Sequence, residues 1–406
     1  MISYLRKYGM RAFFFAAFRR LRTYFNAIKR RRGYGALKFQ FTCEPISFVR
    51  SQIAKPDTVS LLASPNRTVN WVIPPFYRGS GGHMTIFRIA QNLERHGFEQ
   101  NFYIFGQSEY GSDAEATESL RTFFFPLKGS VFLDVRSMRD ADICVATSWE
   151  TAYAVRDFTG ARRKLYFVQD YEPGFFAAGS EQVLAEETYR FGFECICAGK
   201  WLAQKMSEFG ARSSYFDLAY DPVVYRPQPV QPRKRLAFYA RPSTPRRGFE
   251  LGLLAIAQAL KIHPDLEIVT FGMTHLPRGV SLPIQNKGIL SESQLANLYS
   301  SSAVGLSLSL TNYSLIPQEM LACGLPVVEL NLPSQKAAYE SASGTPRFSG
   351  IYLAEPTPQA IAAQIDEILR LNAKDQLMAR QSARDAVTHL SWEKAGRAVL
   401  KVFLES

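Results

Sequence analysis

Short runs of apolar residues, each followed by a polar loop, recur along the chain from residue 67 onward. The runs of the first half are residues 67–75, 102–105, 143–146, 164–168 and 195–198, and those of the second half are 236–240, 266–271, 304–308 and 327–328. Helical patterns separate most of them, and a continuous apolar run is typical of a parallel strand buried on both faces. The pattern therefore predicts an α/β fold of doubly wound parallel sheets.

The alternation is interrupted by a stretch that holds Pro222, Pro227, Pro229 and Pro232. Proline ends regular elements, so this stretch is predicted to be a linker between two α/β halves. We place the halves at residues 67–230 and 231–385. Clefts between domains are where small molecules usually bind, so we expect the ligand between the halves.

Length and composition agree with two domains and an appendage. The 406 residues exceed one ordinary core, and a composition of 47% hydrophobic and 21% charged residues is globular. The five cysteines lie in predicted buried elements without a C-x-x-C pair. They therefore indicate reduced core residues in a cytosolic protein rather than a zinc site.

Residues 1–66 form a separate N-terminal extension. Eleven of the basic residues and no acid precede Glu44, so this extension carries nearly all of the net charge of +12. Between Met10 and Ile28, apolar residues recur at helical spacing, and arginines interrupt them. The apolar runs are shorter than the roughly 18–20 residues that span a bilayer, and a secretory signal pattern is absent.

A basic amphipathic helix of this kind fits an anionic membrane surface, so we expect a cytoplasmic protein bound peripherally to the inner face of the plasma membrane. A helix packed on the body with a solvated basic face is the alternative. A nucleic-acid arm is a third option, and it is disfavoured because the remaining chain has no basic, aromatic-bearing fold motif.

The turn after the first apolar run reads Gly79-Ser80-Gly81-Gly82-His83 and leads into a helix. Strand, glycine turn and helix is a layout that places backbone amides against a phosphate. The spacing matches neither of the common phosphate-binding signatures, so a turn used only for packing is an equal alternative. His83 is a candidate substrate contact, or else a capping residue.

The loop after residues 164–168 reads Gln169-Asp170-Tyr171-Glu172-Pro173 and sets two carboxylates and a ring at the carboxyl end of a strand. Ligands of doubly wound sheets bind at this end, and such side chains suit carbohydrate. Asp170 and Glu172 are therefore candidates for acceptor binding or general-base catalysis. The alternative is that both acids cap the helix that follows.

Two segments of the second half are candidates for binding an anionic ligand. Arg241, Arg246 and Arg247 stand between a strand and a helix, and guanidinium forks suit diphosphate oxygens. A solvated basic loop is the alternative reading. Residues 311–330 read as a polar turn, a helix carrying Glu319, a Gly-Leu-Pro stop and a buried strand. The turn can offer amides to a phosphate, and Glu319 can accept from a sugar hydroxyl.

Four stretches resemble the two-Rossmann (GT-B) glycosyltransferases of the Glu-x7-Glu superfamily. The loop with Arg241 and Arg246 or Arg247 before Gly248 resembles their Arg-x4-Lys phosphate clamp, and residues 288–299 resemble their nucleotide-base segment. Residues 317–328 match the second half of the Glu-x7-Glu motif, and residues 391–393 resemble the start of their terminal helix. The stretches YFVQDYEPGFF and ARPSTPRRGFELG are most similar to bacterial rhamnosyltransferases of the WsaF type.

The resemblance covers about residues 67–406 and implies two Rossmann-like domains facing across a cleft. Residues 386–406 would form a helix that returns to the first domain. A nucleotide-sugar donor would be held mainly by the second domain, with Glu319 on the ribose and the arginines on the diphosphate. The other donor-binding positions that it implies are Gly81, Gly82, Gly272, Gly288, Leu290, Leu315 and Ile316. No metal or other cofactor is expected, because arginines and helix ends neutralise the leaving diphosphate.

Two positions depart from the family pattern. Thr311 stands where the first glutamate is expected, and an arginine replaces the lysine of the clamp. A missing acid near the sugar suits a deoxy sugar, so we expect transfer of rhamnose from dTDP-rhamnose to a cell-surface glycan or lipid-linked glycan. A nucleotide-sugar epimerase of the same fold and a non-catalytic scaffold of a glycan assembly complex are the alternatives.

Overall fold

The computed structural model describes residues 67–340 and 350–405. The predicted basic helix within residues 1–66 lies outside this range. The described chain contains two parallel sheets connected through helices, which confirms the predicted α/β fold with two Rossmann-like halves. No helix among the described residues is long and apolar enough to cross a membrane.

The first sheet has seven parallel strands in the order β3-β2-β1-β4-β5-β6-β7. They are β1 (Thr68–Ile73), β2 (Glu99–Ile104), β3 (Ser130–Phe132), β4 (Ala141–Ala146), β5 (Ala161–Val168), β6 (Glu194–Ala198) and β7 (Ser213–Phe216). Trp71 of β1 lies opposite Phe102 of β2 and Val145 of β4, at the centre of the core. Its indole Nε1 donates to the Gln100 side chain at 2.8 Å, which satisfies a polar group that burial would otherwise penalise.

The second sheet has six parallel strands in the order β10-β9-β8-β11-β12-β13. They are β8 (Arg235–Tyr239), β9 (Glu267–Phe271), β10 (Ile284–Asn286), β11 (Val304–Leu306), β12 (Val327–Leu330) and β13 (Ile351–Ala354). Leu236 and Phe238 of β8 and Val304 and Leu306 of β11 are fully buried, which explains why these strands read as apolar runs.

Twelve helices connect and cover the strands in the described chain. Those of the first half are α1 (Gly81–Arg95), α2 (Asp113–Phe123), α3 (Trp149–Asp157), α4 (Ser180–Glu187) and α5 (Lys200–Glu208). Those of the second half are α6 (Phe249–Ile262), α7 (Glu292–Ser300), α8 (Leu315–Ala322), α9 (Pro333–Tyr339), α10 (Pro358–Leu369), α11 (Ala373–Val387) and α12 (Trp392–Leu404).

Helix α8, which carries Glu319, packs unusually close to strand β11. A Cβ atom placed on Gly305 of β11 would lie 2.5 Å from the sulfur of Met320. A larger residue at position 305 would therefore push α8 away from the sheet, because a packed core has no room for an added methyl group. Gly305 thus fixes the depth at which α8 presents Glu319.

The last helix, α12, packs against the first sheet, although the second sheet precedes it in the chain. The ring of Phe403 stacks on Trp71 of β1, with centroids 6.0 Å apart. Arg163 of β5 donates to the carbonyl oxygen of Val402 at 3.0 Å. The first sheet is therefore completed by a helix from the other end of the chain.

The apolar pattern missed four short strands, β3, β7, β10 and β13. Strand β3 offers only Val131 as a fully buried residue, and in β7 only Phe216 is buried. All four strands lie at edges of their sheets. An edge strand needs fewer apolar residues because fewer neighbours cover it, so its sequence does not show a continuous apolar run.

Candidate active site

Each sheet reverses its strand order at one place, between β1 and β4 in the first sheet and between β8 and β11 in the second. Ligands of such sheets bind beyond the carboxyl ends of the strands at this reversal. The glycine turn (residues 79–83) follows β1, the arginine loop (residues 241–248) follows β8, and the β11 loop (residues 307–314) follows β11. The acidic loop (residues 169–173) follows β5, next to β4. The predicted candidates therefore gather at the two reversals.

Two of the three arginines in the arginine loop have protein partners. Arg247 donates to the hydroxyl of Ser309 in the β11 loop. Nε of Arg246 donates to Oδ2 of Asp170 in the acidic loop at 3.2 Å. Arg241 is partly exposed at the start of the loop. The arginine loop thus joins the β11 loop to the first half, and Arg246 holds a carboxylate where a phosphate was expected.

Helix α8 begins without a side-chain cap. Oγ of Ser314, its N-cap residue, is buried and has no hydrogen-bond partner within the described residues. Leu315 and Ile316 form the first turn, where backbone amides have no acceptor inside the helix. An uncapped N-terminus with a free hydroxyl can bind an anionic group. The sequence did not single out Ser314, because a serine before a helix ordinarily indicates a cap.

Glu319 lies one turn into α8, and its Oε2 is buried without a partner in the described chain. Burial raises the pKa of Glu319 to about 8, with a smaller contribution from the charge of Glu292, while a hydrogen bond with Tyr225 opposes the rise. Tyr225 belongs to the linker and stacks on Tyr299 of α7, with centroids 6.3 Å apart. The unfilled oxygen can accept a hydrogen bond from a ligand hydroxyl.

The two segments predicted to face a base lie together. The amide of Gly272 donates to the carbonyl oxygen of Gly288 at 3.0 Å. A Cβ on Gly272, whose φ is +96°, would lie 2.9 Å from the ring of Tyr239. Leu290 is partly buried beside Ile289, which is 63% exposed. The two glycines leave a backbone surface next to an exposed apolar side chain, which can receive a flat ring.

The glycine turn lies beside the acidic loop. A Cβ on Gly82 would lie 3.5 Å from Nε2 of Gln169, the residue before Asp170. The space around Gly81 is open to at least 4 Å, and α1 begins at this residue. The structure thus brings together the glycine turn and the acidic loop, which the sequence analysis proposed as separate candidates.

His83 is held by the protein on both sides of its ring. Nε2 lies 3.0 Å from the carbonyl oxygen of Pro74, and Nδ1 lies 2.7 Å from the hydroxyl of Ser80. Since a carbonyl only accepts, Nε2 carries the proton and Nδ1 accepts from Ser80. Burial lowers the pKa of His83 to about 4, so the ring is neutral at pH 7. The ring fixes the glycine turn and would have to release a partner to contact substrate.

The two candidate acids of the acidic loop differ in environment. The carboxylate of Glu172 turns inward and accepts from the amide of Trp149. Burial, followed by the charge of Glu150, raises the pKa of Glu172 well above its usual value. The side chain of Asp170 instead reaches across to the arginine loop. Asp170 is therefore the acid of this loop that meets the second half.

Two side chains of the β11 loop anchor it on the first half. Nδ2 of Asn312 donates to the carbonyl oxygens of Gln169 and Ala198, both at 3.0 Å. The hydroxyl of Tyr313 accepts from the amide of Leu218 at 3.1 Å. From sequence, this segment was predicted only to be a polar turn. Its partners are backbone groups far away in the chain, and no sequence motif indicates such contacts.

Thr311, at the position of the expected glutamate, packs against Gly174, the residue after the acidic loop. A Cβ placed on Gly174 would lie 2.7 Å from the methyl carbon of Thr311. A longer side chain at position 311 would have to displace this backbone. The short residue at 311 and the glycine at 174 therefore belong to the same close contact.

A buried carboxylate that the sequence reading passed over organises the β11 loop. Oε1 of Glu329 accepts from the amides of Ser309 and Leu330, both at 2.9 Å, and Gln335 donates to the carbonyl oxygen of Ser309 at 2.7 Å. Glu329 is fully buried, and burial raises its pKa to about 8, while the charge of Arg247 opposes the rise. The sequence analysis did not select Glu329, because it lies within an apolar strand, between Val328 and Leu330.

Cys144, Cys195, Cys197 and Cys323 are buried free thiols, as expected for core residues. Cys43 lies outside the described residues. Within residues 67–340 and 350–405, no group of three or more His, Cys, Asp or Glu residues is placed to hold a metal ion.

Comparison with known families matches both halves of the chain. The model of the WsaF C-terminal domain matches residues 234–366, and that of the WsaF N-terminal domain matches residues 131–198. The O-antigen biosynthesis protein RfbC of Myxococcus xanthus is 33% identical over 374 residues, which are 88% of this chain and 28% of RfbC. The chain thus spans little more than a quarter of that relative.

Solved structures share the fold at low sequence identity. Staphylococcus aureus TarM, in complex with fondaparinux, α-GlcNAc-glycerol and UDP, has a TM-score of 0.68 at 8% identity, and the match covers 83% of this chain and 100% of TarM. Anabaena Alr3699/HepE, in complex with UDP and glucose, has a TM-score of 0.64 at 14% identity over 82% of this chain and 98% of HepE. Sucrose-phosphate synthase of Thermosynechococcus elongatus has a TM-score of 0.63 at 12% identity over 83% of this chain and 98% of its own.

Proposed function

Because this chain belongs to the WsaF family of GT-B glycosyltransferases, we propose that it transfers a sugar from a nucleotide-sugar donor to a glycan acceptor. The observation that carries the proposal is the free Oε2 of Glu319, one turn from the uncapped start of α8. A helix N-terminus suits a diphosphate, and a carboxylate at this depth suits the ribose hydroxyls of the same ligand.

In the proposed complex, the donor lies along the loops of the second sheet. The arginine loop and the amides of Leu315 and Ile316 hold the diphosphate, and Ser314 adds a hydroxyl donor. Glu319 accepts from the ribose, and the surface at Gly272 and Gly288 receives the base. These groups supply positive charge and hydrogen-bond donors without a metal ion, so we propose that the reaction needs no metal or other cofactor.

In the proposed reaction, an acceptor hydroxyl attacks the anomeric carbon of the donor sugar. The new carbon–oxygen bond forms as the bond to the diphosphate oxygen breaks, and the nucleoside diphosphate leaves with both electrons. Asp170 takes the hydroxyl proton, because it is the acid that reaches the second half. Glu172 supports the acidic loop through Trp149. The protein lowers the barrier by positioning both substrates and by stabilising charge on the leaving group.

For the donor sugar we propose rhamnose, carried by dTDP. Thr311 presents a short side chain beside Gly174 at the place where related enzymes have a glutamate. A site without this carboxylate favours a 6-deoxy sugar over one whose hydroxyl needs an acceptor. The resemblance of the acidic and arginine loops to WsaF-type rhamnosyltransferases supports the same choice.

For the acceptor we propose a cell-surface glycan or a lipid-linked glycan at the cytoplasmic leaflet. The similarity to RfbC, an O-antigen biosynthesis protein of Myxococcus xanthus, supports a role in polysaccharide assembly. The basic residues before Glu44 would hold the enzyme at an anionic membrane surface, where a lipid-linked acceptor lies. No nucleic-acid partner is proposed.

A donor screen tests this function. Purified protein is incubated with dTDP-rhamnose, UDP-glucose or GDP-mannose, with and without a lipid-linked glycan extract, and nucleoside diphosphate and sugar products are measured. We expect dTDP release and sugar transfer from dTDP-rhamnose when acceptor is present. Transfer from UDP-glucose alone would refute the sugar, an isomerised donor without acceptor would indicate an epimerase, and no turnover of any donor would refute the enzyme.

A further inference from the structure

The ion pair between Asp170 and Arg246 joins the two halves at the candidate site. Nε of Arg246 lies 3.2 Å from Oδ2 of Asp170, and the two side chains are 27% and 13% exposed. The other carboxylate oxygen of Asp170 accepts from the amide of Tyr171 at 2.9 Å. Each oxygen of this carboxylate therefore already has a donor from the protein.

The surroundings hold Arg246 in this position. Its guanidinium carbon lies 3.9 Å from the centre of the Phe175 ring, within the range of a cation–π contact. Its carbonyl oxygen accepts from the amide of Leu310 at 3.0 Å, which ties the arginine to the β11 loop. The pair is thus part of a packed contact between loops rather than a meeting of two mobile surface chains.

The ion pair therefore occupies both Asp170 and Arg246, and the proposed reaction needs each of them for a different substrate. Arg246 is a candidate ligand of the donor diphosphate, and Asp170 is the candidate base for the acceptor hydroxyl. We propose that Asp170 and the donor diphosphate compete for Arg246, so that donor binding frees the Asp170 carboxylate to receive the acceptor. This inference rests on the proposed function and adds an order of events to it.

The diphosphate is the stronger competitor for chemical reasons. It carries more negative charge than one carboxylate and offers several oxygens to the guanidinium fork. It also gains from Arg241, Arg247 and the N-terminus of α8, which Asp170 does not contact in the structure. Once displaced, Asp170 has an open lone pair, and it accepts the proton of the acceptor hydroxyl when the new glycosidic bond forms. Donor binding therefore precedes productive acceptor binding.

Titration calorimetry with dTDP, UDP and GDP tests the competition without requiring turnover. Asp170→Asn should bind the nucleotide roughly two- to fivefold more tightly than wild type, the range expected for loss of a partly exposed ion pair. Arg246→Ala should bind more weakly, and adding Asp170→Asn to Arg246→Ala should give no further gain. The control is Glu194→Gln at the start of β6. It breaks the ion pair of Glu194 with Arg163, whose nitrogen and oxygen lie 2.9 Å apart, and it should leave nucleotide binding unchanged.

A crystal soak with dTDP provides a second measurement that needs no variant. In the complex, Nε of Arg246 should contact a phosphate oxygen and lie more than about 4 Å from Asp170, beyond ion-pair range. Equal affinity of Asp170→Asn and wild type, or a bound diphosphate with the ion pair intact, would refute the competition while leaving the glycosyltransferase proposal in place. Failure of wild type to bind dTDP, UDP and GDP would refute both.

Discussion

The side-chain amide of Asn312 donates to the backbone carbonyl oxygen of Gln169 at 3.0 Å, across 143 residues of sequence. Gln169 precedes Asp170, and Asn312 precedes the start of α8 by three residues. The loop expected to hold the donor is therefore fastened to the loop that carries the candidate base.

Replacing Asn312 with Ala should destabilise the protein and weaken catalysis together. The substitution leaves the carbonyl oxygens of Gln169 and Ala198 without their donor in a buried place, at a cost of about 1–3 kcal/mol. Urea unfolding gives the free energy, and transfer assays give kcat/KM. Asn297→Ala on the exposed side of α7 removes one helix-surface hydrogen bond and serves as control. Equal losses in the two variants would contradict an anchoring role.

Glu319→Ala should strongly weaken donor binding, with the fold intact. Loss of the hydrogen bonds that ribose hydroxyls donate to a carboxylate corresponds to roughly a 10- to 150-fold higher dissociation constant. Calorimetry with dTDP measures this directly, and circular dichroism checks the fold. Glu393→Gln, on the exposed face of α12, is the matched control and should bind as wild type does. Near wild-type affinity of Glu319→Ala would remove this residue from the donor site.

Glu329 should make stability fall as pH rises through the neutral range. Its folded pKa of about 8 lies above the value near 4.3 of an unfolded glutamate, so the folded state binds the proton more tightly between these pH values. The free energy of unfolding therefore decreases from about pH 5 to pH 8 and levels off above. Glu329→Gln lacks this pH dependence. Between pH 5 and pH 8.5, its free energy of unfolding should therefore rise by about 1–4 kcal/mol relative to that of wild type.

Urea unfolding of both proteins at the two pH values measures the difference. The control is Glu367→Gln, which replaces an exposed carboxylate on α10. Its free energy of unfolding should change with pH as that of wild type does. A constant offset between Glu329→Gln and wild type would mean that the carboxylate is ionised throughout this range.

Restoring the family glutamate at position 311 should damage this protein. Thr311→Glu places a longer, charged side chain against the backbone of Gly174, so we expect a loss of about 1–3 kcal/mol of stability from overpacking. Transfer should fall by more than tenfold, because the acidic loop must shift. Thr311→Ser removes the methyl group and keeps the hydroxyl, and it should retain the fold while discriminating less between rhamnose and hexose donors. An active, stable Thr311→Glu would show that the contact does not restrict this position.

Binding of the full chain to anionic vesicles should depend on the arginines at residues 30–32. Charge reversal of these three to glutamate should weaken co-sedimentation with phosphatidylglycerol vesicles by at least about tenfold, since each basic residue near such a surface contributes about 1 kcal/mol. Reversal of three exposed basic residues of the body, Arg95, Lys261 and Lys374, is the control and should have a smaller effect. Equal loss in both variants would point to net charge rather than to the N-terminal segment.

Local patterns were sufficient to predict the inner strands of the two sheets. Residues such as Trp71 and Phe238 sit in runs that are apolar because both faces of a parallel strand are buried. The edge strands β3, β7, β10 and β13 were not predicted, because partial exposure relaxes this requirement. Among site residues, Glu319 and the arginine loop were found because a helix start or a cluster of charge is visible in a short stretch of sequence.

The sequence by itself determined the α/β architecture, the order of its elements and the loops that carry candidate chemistry, since each depends on neighbours a few residues apart. Only the tertiary structure decided that Asn312 holds Gln169, that Arg246 meets Asp170 across 76 residues, and that Glu329 supports Ser309. Two of these contacts use backbone groups, which every residue possesses, and the third depends on how two domains meet. Residue types in sequence carry no record of either, because both follow from where the folded chain places distant segments.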